Sequence, residues 1–79
     1  MNHTMFSLNT LPVGKIGRVA SLKATGTERR RMLDLGLVQG THVEALQKSP
    51  SGDPVAYFIR GAVIALRSED AEKILMEQV

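Results

Sequence analysis

The stretch that decides the fold is Arg29-Arg-Arg-Met-Leu-Asp-Leu-Gly-Leu-Val-Gln-Gly40. It opens with three cations, continues with apolar residues and contains two glycines. Met32, Leu33 and Leu37 recur at helical spacing, which predicts that they face a core together. Gly36 stands where a left-handed residue commonly ends a helix, and the second glycine permits a turn before the next element. The stretch therefore predicts a short helix followed by a strand.

The start of this helix has its own signal. Thr25 and Glu28 have the spacing of a capping box, in which a hydroxyl and a carboxylate satisfy free amide groups at a helix start. Thr27 is an alternative residue for the N-cap. Together with the glycine stop, these signals predict a helix over roughly residues 27–35.

Strand patterns surround the helix. Val55, Tyr57 and Ile59 alternate with other residues and predict a buried side, which leaves Phe58 on the opposite side. Arg60-Gly61 predicts a short hairpin turn. The predicted strands are Ile16 to Lys23, Thr41 to Lys48, Val55 to Arg60 and Ala62 to Arg67, with a turn cluster at Ser49 to Pro54.

The sequence predicts a flexible arm at the start of the chain and a helix at its end. Residues 1–10 have weak periodicity and are expected to form a flexible arm, so that a single domain spans 11–79. Ser68 is expected to cap a final helix, because acidic residues follow it at once. The apolar stripe of that helix would consist of Ala71, Ile74, Leu75 and Val79. Short strands around two short helices indicate a mainly β fold, a small β-barrel.

Composition limits the classes of function. The chain has 79 residues and no cysteine, which excludes disulfides and thiolate metal sites. No apolar run is long enough to cross a bilayer, and the first residues do not have the pattern of a signal peptide, so a cytoplasmic location is expected. Residues 1–67 hold nine Lys/Arg and four Asp/Glu, whereas residues 68–79 hold one and four. A basic body suits nucleic acid, anionic lipid or an acidic protein face.

Three segments make the chain resemble the FeoA family, the small cytosolic partners of the bacterial ferrous iron transporter. They are Leu11-Pro-Val-Gly-Lys-Ile-Gly-Arg-Val19, Arg30-Arg-Met-Leu-Asp-Leu-Gly-Leu-Val-Gln-Gly-Thr-His-Val43, and Gly52-Asp-Pro-Val55 running into Arg60-Gly61 and Ile64-Ala-Leu-Arg67. The middle segment is close to a continuous family pattern, with Gln39 where the family commonly has proline. The resemblance implies an SH3-like barrel with a helix after the first strand and a C-terminal helix.

The same resemblance implies a function. The protein would be a non-enzymatic accessory protein for ferrous iron uptake, and its partner would be the membrane transporter that carries a cytosolic GTP-binding domain. Docking would change the assembly or the activity of that transporter. Membrane insertion of this chain itself is not expected.

Motifs for other chemistry are weak. His3 and His42 are the only histidines, and His42 is accompanied on its strand face by Glu44 alone, so no intrinsic iron site is expected. Gly14-Lys15-Ile16-Gly17 lacks the flanking residues of a phosphate-binding loop, so no nucleotide cofactor is expected. No serine, histidine and carboxylate can be grouped into a catalytic constellation, which argues against an enzyme.

Two groups of residues are candidates for partner binding. The first is a cationic rim on the helix, which could engage an acidic or phosphate-bearing face. The second is the outer face of the third and fourth strands, centred on Phe58, which could also support self-association. Together they comprise Arg29, Arg30, Arg31, Ala56, Phe58, Arg60, Ala65 and Arg67.

An alternative class is a nucleic-acid-binding barrel, or the regulatory domain of a metal-dependent repressor, because similar SH3-like domains occur in such repressors. Aromatic residues make up only 4% of the chain and give few platforms for base stacking. There is no recognition-helix pair either, so sequence-specific DNA binding is not expected.

Overall fold

The computed structural model describes residues 5–79. They form six strands, two short α-helices and one turn of 3-10 helix, so the fold is mainly β, as predicted. The strands are β1 (Met5–Ser7), β2 (Ile16–Leu22), β3 (His42–Lys48), β4 (Val55–Ile59), β5 (Ala62–Leu66) and β6 (Ile74–Gln78). The helices are α1 (Gly26–Asp34) and α2 (Ser68–Ala71), and the 3-10 turn is Leu8–Thr10. Within residues 5–79, no helix has the length and apolar character required to cross a membrane.

All six strands belong to one antiparallel sheet with the order β1-β6-β2-β3-β4-β5. Within the described residues, the two outer strands, β1 and β5, do not pair with each other. The sheet therefore keeps two edges, whereas a fully closed barrel would have none.

The inner face of the sheet carries the core. Tyr57 and Ile59 are each 1% exposed, as the alternation of β4 predicts. The Tyr57 hydroxyl donates a long hydrogen bond of 3.5 Å to the carbonyl oxygen of Leu8, which is itself fully buried. The other buried hydrophobic residues are Leu11, Val19, Ala24, Met32, Leu37, Val43, Ala45, Leu66, Ala71, Ile74 and Met76.

The predicted hairpin between β4 and β5 is present. Ile59 pairs with Ala62, so the turn consists of Arg60 and Gly61 alone. Both residues have positive φ, 49° for Arg60 and 86° for Gly61. A two-residue hairpin favours this geometry because its twist matches that of the strands. Arginine is an uncommon residue at a left-handed position, since its Cβ is crowded there.

Helix α1 ends as its sequence predicts. Gly36 has φ 98°, and its amide donates to the carbonyl of Leu33, while the amide of Leu37 donates to the carbonyl of Met32. This pair of bonds is the Schellman arrangement, which satisfies carbonyls at the end of a helix. Met32 and Leu37 are buried, but Leu33 is only half-buried, so the predicted core-facing set is correct for two of its three members.

The start of α1 differs from the expected capping box. Thr25 is the N-cap residue, but its side chain makes no capping hydrogen bond. The carboxylate of Glu28 instead accepts two hydrogen bonds from Nζ of Lys73, at 2.8 and 3.0 Å. A carboxylate occupied by a lysine from another segment is not available to a local amide.

The expected C-terminal helix is wrong beyond its first turn. Helix α2 ends at Ala71, and Ile74–Gln78 form the strand β6 between β1 and β2. Ile74 and Met76, two residues apart, are both fully buried, which is the period of a strand. The expected cap is corrected too: the N-cap residue is Arg67, and the amide of Ser68 donates to the side chain of Asp53 at 2.7 Å.

The expected flexible arm is also corrected for residues 5–10. Met5–Ser7 pair with β6 in the register Met5↔Glu77, Phe6↔Met76 and Ser7↔Leu75. Leu8 is fully buried and contributes to the core. The folded domain therefore begins before residue 11, and residues 1–4 lie outside the described part of the chain.

Candidate functional site

A row of large apolar side chains crosses the outer face of the sheet. The strand registers align Ile16 with Glu44, Glu44 with Phe58, and Phe58 with Val63. The exposed fractions are 50% for Ile16, 43% for Phe58 and 64% for Val63. Phe58 lies on the outer side of the sheet, as the alternation of β4 predicts. Neither helix covers it there.

A shallow groove of about 530 Å³ lies along this row. Ile16 and Phe58 supply its apolar part, and polar side chains supply the rest. It is lined by Ile16, Thr41, His42, Glu44, Phe58 and Arg60. Glu44 and Arg60 take part in none of the ion pairs among residues 5–79. The groove therefore has an apolar centre and charged groups of both signs that remain available to a partner.

Arg60 is placed by the end of α1. A Cβ atom added to Gly36 would lie 2.7 Å from Cδ and 3.3 Å from Cγ of Arg60, so the aliphatic part of the arginine packs across this glycine. The absence of a side chain at Gly36 thus serves two purposes: it ends the helix and admits Arg60. The tip of the β4–β5 hairpin is held against α1 in this way.

The other predicted residues of the sheet face lie apart from this groove. Ala56 and Ala65 face each other across β4 and β5, as predicted, but they line a separate, smaller hollow of about 210 Å³. Arg67, beyond the far end of β5, approaches Asp53 at 3.9 Å. The structure therefore groups Phe58 with Arg60 and places Ala56, Ala65 and Arg67 toward the opposite end of the hairpin.

The three arginines of α1 do not form one surface. Arg29 lines a cavity beside β2, and Arg31 lines a cleft shared with Leu66 and Asp70. Arg30 is exposed between them. Within residues 5–79, no ion pair joins Arg30 to Asp34 or Glu28 to Arg31, although both pairs have helical spacing.

Two side chains outside the groove have shifted pKa values. The hydrogen bonding that Lys73 donates to the Glu28 carboxylate raises the pKa of Lys73, which joins the start of β6 to α1. Burial, assisted by the negative charge of Asp53, raises the pKa of the Tyr57 phenol. Both shifts favour the proton-bound form in the folded protein, but neither group lines the groove, so these shifts concern stability.

The structure does not assemble a metal site in the described part of the chain. Residues 5–79 contain no group of three or more His, Cys, Asp or Glu side chains suitable for a metal ion. His42 and Glu44 do line the same groove. His3 lies outside the described residues.

Four groove residues are absent from the candidates for partner binding: Ile16, Thr41, His42 and Glu44, of which the last two were considered only for a metal site. The sequence predicts a strand that begins at Ile16, but nothing near Ile16 in the sequence indicates that it lies two strands away from Phe58. This proximity comes from the pairing of β2, β3 and β4, which joins positions far apart in the chain. The alternation of His42 with Glu44 was the available signal for the middle of the groove.

Comparison with known proteins defines the family. The family model of the FeoA domain matches residues 6–78. The chain belongs to the FeoA family. The matched range includes β6 and all of β1 except Met5, although the sequence pattern predicts an arm and a helix at these two strands.

A curated relative of this FeoA chain is a fusion protein. The Fe(2+) transport protein A/Fe(2+) transporter FeoB fusion protein of Porphyromonas gingivalis is 35% identical over 72 residues, which are 91% of this chain. The match spans only 8% of the length of that relative. In that protein, a FeoA-like segment and the FeoB transporter are parts of one polypeptide.

Solved structures confirm the fold. A FeoA-like protein from Clostridium acetobutylicum matches with a TM-score of 0.88 and 32% identity, over 100% of this chain and 91% of that one. FeoA from Stenotrophomonas maltophilia, crystallised with zinc and described as a prokaryotic SH3 domain protein, matches with a TM-score of 0.81 and 28% identity. That match covers 90% of this chain and 88% of the other. The predicted SH3-like fold is therefore confirmed.

The same fold occurs in another class of protein. A manganese-dependent transcriptional repressor matches over 100% of this chain and 44% of its own length, with a TM-score of 0.86 and 19% identity. At this level of identity the likeness concerns the fold alone.

Proposed function

We propose that this FeoA chain is a non-enzymatic cytoplasmic accessory protein for ferrous iron uptake. It docks on the cytosolic GTP-binding part of a membrane ferrous iron transporter and changes the assembly or the activity of that transporter. The observation that carries this proposal is the FeoA–FeoB fusion in Porphyromonas gingivalis, to which this chain is 35% identical over 72 residues.

A fusion supports association because it fixes the ratio of two partners at one to one. It also converts binding into an intramolecular step with an effective concentration that reaches the millimolar range for short linkers. A separate chain has no such help, so it needs a surface that recognises the transporter. The groove around Phe58 is the best candidate for that surface.

The groove has the composition of an interface centre. Phe58 and Ile16 are large, apolar and about half exposed, at 43% and 50%. Glu44 and Arg60 stand beside them without an ion-pair partner in residues 5–79. A centre of aromatic and aliphatic residues inside a polar rim is typical of protein interfaces. Because the groove is shallow, it suits a convex surface of another protein better than an enclosed small molecule.

Docking alters the transporter only if it distinguishes two of its states. A ligand that binds two conformations equally well does not change their ratio. The groove belongs to three paired strands of the sheet, so it is a preformed surface that can select one conformation of a partner. We therefore expect the affinity to depend on the nucleotide bound to the transporter.

The arginines of α1 form a separate, secondary candidate. Arg29, Arg30 and Arg31 are exposed and diverge around the helix. They would add contacts to acidic groups at the edge of a docked partner, and such exposed charges mainly affect the rate of association and its salt dependence. We expect their individual contributions to be smaller than that of Phe58.

The nucleic-acid alternative has less support. The repressor likeness is a shared fold at 19% identity, and the chain has few aromatic platforms for bases. The expected behaviour is weak, salt-sensitive binding that does not distinguish sequences. Reproducible discrimination between two duplexes at physiological salt would favour this alternative.

Binding to the transporter can be tested with purified components. The chain is titrated with the cytosolic part of the transporter loaded with GDP, with a non-hydrolysable GTP analogue, or with no nucleotide. We expect saturable binding whose dissociation constant differs between these states. Phe58→Ser should weaken the binding by at least about tenfold, because a central aromatic residue often contributes more than 2 kcal/mol to an interface.

A matched control is Val13→Ser, which removes another exposed apolar side chain. Val13 is 47% exposed and lies in the turn before β2, outside the groove. It should leave the affinity unchanged. No binding in any nucleotide state would contradict the proposed partner, and equal losses in the two variants would contradict the proposed face.

A further inference from the structure

The strand β5 (Ala62–Leu66) is an unprotected edge of the sheet. Its sequence, Ala-Val-Ile-Ala-Leu, contains no charged residue, no proline and no glycine. Charged residues and prolines on an edge strand, or a very short edge strand, usually prevent pairing with another chain. In the described part of the chain, the opposite edge, β1, is a short strand of three residues.

The backbone groups on this edge can be assigned from the hairpin. Residues that flank a two-residue turn form a hydrogen-bonded pair, and bonded and non-bonded pairs then alternate along the ladder. Ile59 and Ala62 flank the turn, so Ala62, Ile64 and Leu66 direct their N–H and C=O groups toward β4. The groups of Val63 and Ala65 consequently face away from the sheet. Among residues 5–79, no backbone hydrogen bond outside the strand ladders involves residues 62–66.

We propose that β5 pairs in antiparallel fashion with β5 of a second copy of this chain, about a two-fold axis at Ile64. In this register, Val63 of each copy faces Ala65 of the other, and both residues have free N–H and C=O groups. Two hydrogen-bonded pairs therefore form, and the two six-stranded sheets become continuous.

The side chains on the outer face are complementary in this register. Val63 is 64% exposed, and the neighbour it gains is the small Ala65 of the second copy. Phe58 lies beside Val63, and Ala56 lies beside Ala65, on each β4. The two apolar strips therefore join across the axis, and Val63 loses part of its contact with water.

The charges at the ends of β5 also fit a second copy. Antiparallel pairing brings the hairpin turn of each copy, which carries Arg60, near the start of α2 of the other copy, which carries Glu69, and this approach of opposite charges occurs twice. Arg60 and Glu69 are both exposed and form no ion pair among residues 5–79. Arg67 comes near Arg60 of the second copy, but Asp53 already lies 3.9 Å from its guanidinium. A second copy therefore suits this edge better than an uncharged strand would.

The size of the contact predicts a weak dimer. One strand of five residues with its neighbours buries less than the roughly 1,200 Å² found at the lower end of stable interfaces. Because the two-fold pairing uses the β5 edges of both copies, the contact closes at two copies. The groove with Ile16 on β2 stays open, so this inference goes beyond the proposed docking function and does not depend on it.

Sedimentation of the isolated full chain tests the proposal. Over concentrations from about 10 μM to about 1 mM, where weak complexes dissociate, we expect the mass to rise from that of a monomer to that of a dimer. Val63→Lys should raise the dissociation constant at least about tenfold, since a lysine blocks edge pairing. Val13→Lys, the same change at an exposed turn residue, should leave it unchanged.

A second variant tests the backbone hydrogen bonds of the proposed pairing. Ala65→Pro removes an N–H that faces the free edge, so it should abolish dimerisation while the ladder with β4 is retained. Circular dichroism checks its fold, and if it fails to fold, Val63→Lys alone decides. In the wild-type chain, the amide resonances of Val63 and Ala65 should shift with concentration.

Several results would overturn the inference. These are a monomer at all concentrations, a dimer that Val63→Lys does not weaken, and concentration-dependent shifts confined to residues away from β5. Pairing of β5 with a segment of the transporter but not with a second copy would overturn it as well.

Discussion

The two sides of β4 show how one strand serves two purposes. Tyr57 and Ile59 point into the core and are each 1% exposed, whereas Phe58 between them is 43% exposed. The three residues are similar in size and apolar character, so composition does not distinguish them. What distinguishes them is the pleat, which directs successive side chains to opposite faces.

This comparison teaches that stability and recognition can be changed independently in this domain. Truncation of an inner residue leaves a cavity in a closely packed core. Truncation of Phe58 removes surface that a monomer does not need and a partner can use, since exposed apolar patches on small proteins usually mark interaction sites. Each of the following experiments tests this separation.

The largest expected effect comes from Ile59→Ala. Because Ile59 is 1% exposed and belongs to the core, its truncation should lower the free energy of unfolding by about 2–5 kcal/mol. Urea denaturation followed by circular dichroism measures this change.

The comparison variant on the same strand is Phe58→Ser. It should cost about 1 kcal/mol or less, as expected for a substitution at a largely exposed site. If Phe58→Ser destabilises the domain as much as Ile59→Ala does, then the outer face also belongs to the core and the separation fails.

A smaller effect on stability is expected from Gly36→Ala, which changes the end of α1 and the groove at the same time. Gly36 has φ 98°, and a new Cβ would lie 2.7 Å from Cδ of Arg60. The left-handed conformation costs about 1–2 kcal/mol for a residue with a side chain. In addition, Arg60 must move, which changes the groove. We expect a stability loss of that size together with weaker transporter binding.

The glycine Gly61 supplies the control for this prediction. Gly61 also has a positive φ, but a Cβ there meets no atom within 4 Å. Gly61→Ala should therefore produce a similar backbone penalty without displacing Arg60. Equal effects of the two variants on transporter binding would show that the position of Arg60 is not important.

The smallest expected effect is a loss of stability at alkaline pH. Burial raises the pKa of Tyr57 in the folded chain, so above its ordinary value of about 10 the unfolded state loses this proton first. The raised pKa of Lys73 acts in the same direction. Stability should therefore fall as the pH rises from about 9 to about 11. Urea midpoints measure this, and Tyr57→Phe should reduce the fall; an unchanged fall would assign the effect to other groups.

Much of the fold could be predicted because several local signals agree. The strands β2 to β5 follow from alternation and from turn residues, and the end of α1 follows from Gly36. The helix and these four strands lie within one or two residues of their predicted bounds. In each case the determining interactions lie within a few positions of one another in the sequence.

The strands β1 and β6 could not be assigned in the same way. Ala71, Ile74 and Leu75 fit a helical stripe, while Ile74 and Met76 fit a strand equally well, and short apolar segments often leave this choice open. The decision comes from pairing: β6 lies between β1 and β2, and each of the three comes from a different part of the chain. Local propensity contains no information about such partners.

The candidate site also depends partly on local sequence signals and partly on tertiary strand pairing. The exposure of Phe58 follows from the alternation of its own strand, whereas the position of Ile16 depends on the register of two strand pairs. Arg60 shows the limit most clearly, because its contact with Gly36 joins a hairpin tip to a helix end. A sequence pattern can indicate that a side chain points outward, but its neighbours across the sheet depend on tertiary pairing.

The position of β6 has a consequence for how the domain folds. Among the strands of residues 5–79, the last one in chain order lies inside the sheet, where it is the one neighbour of β1 and also pairs with β2. Until Ile74–Gln78 are in place, the segment at residues 5–7 has no strand to join. Pairings between residues so distant in sequence slow folding, because a long loop must close before they form. The early and late segments of the domain should therefore become ordered together, in one cooperative step, rather than in the order of their synthesis.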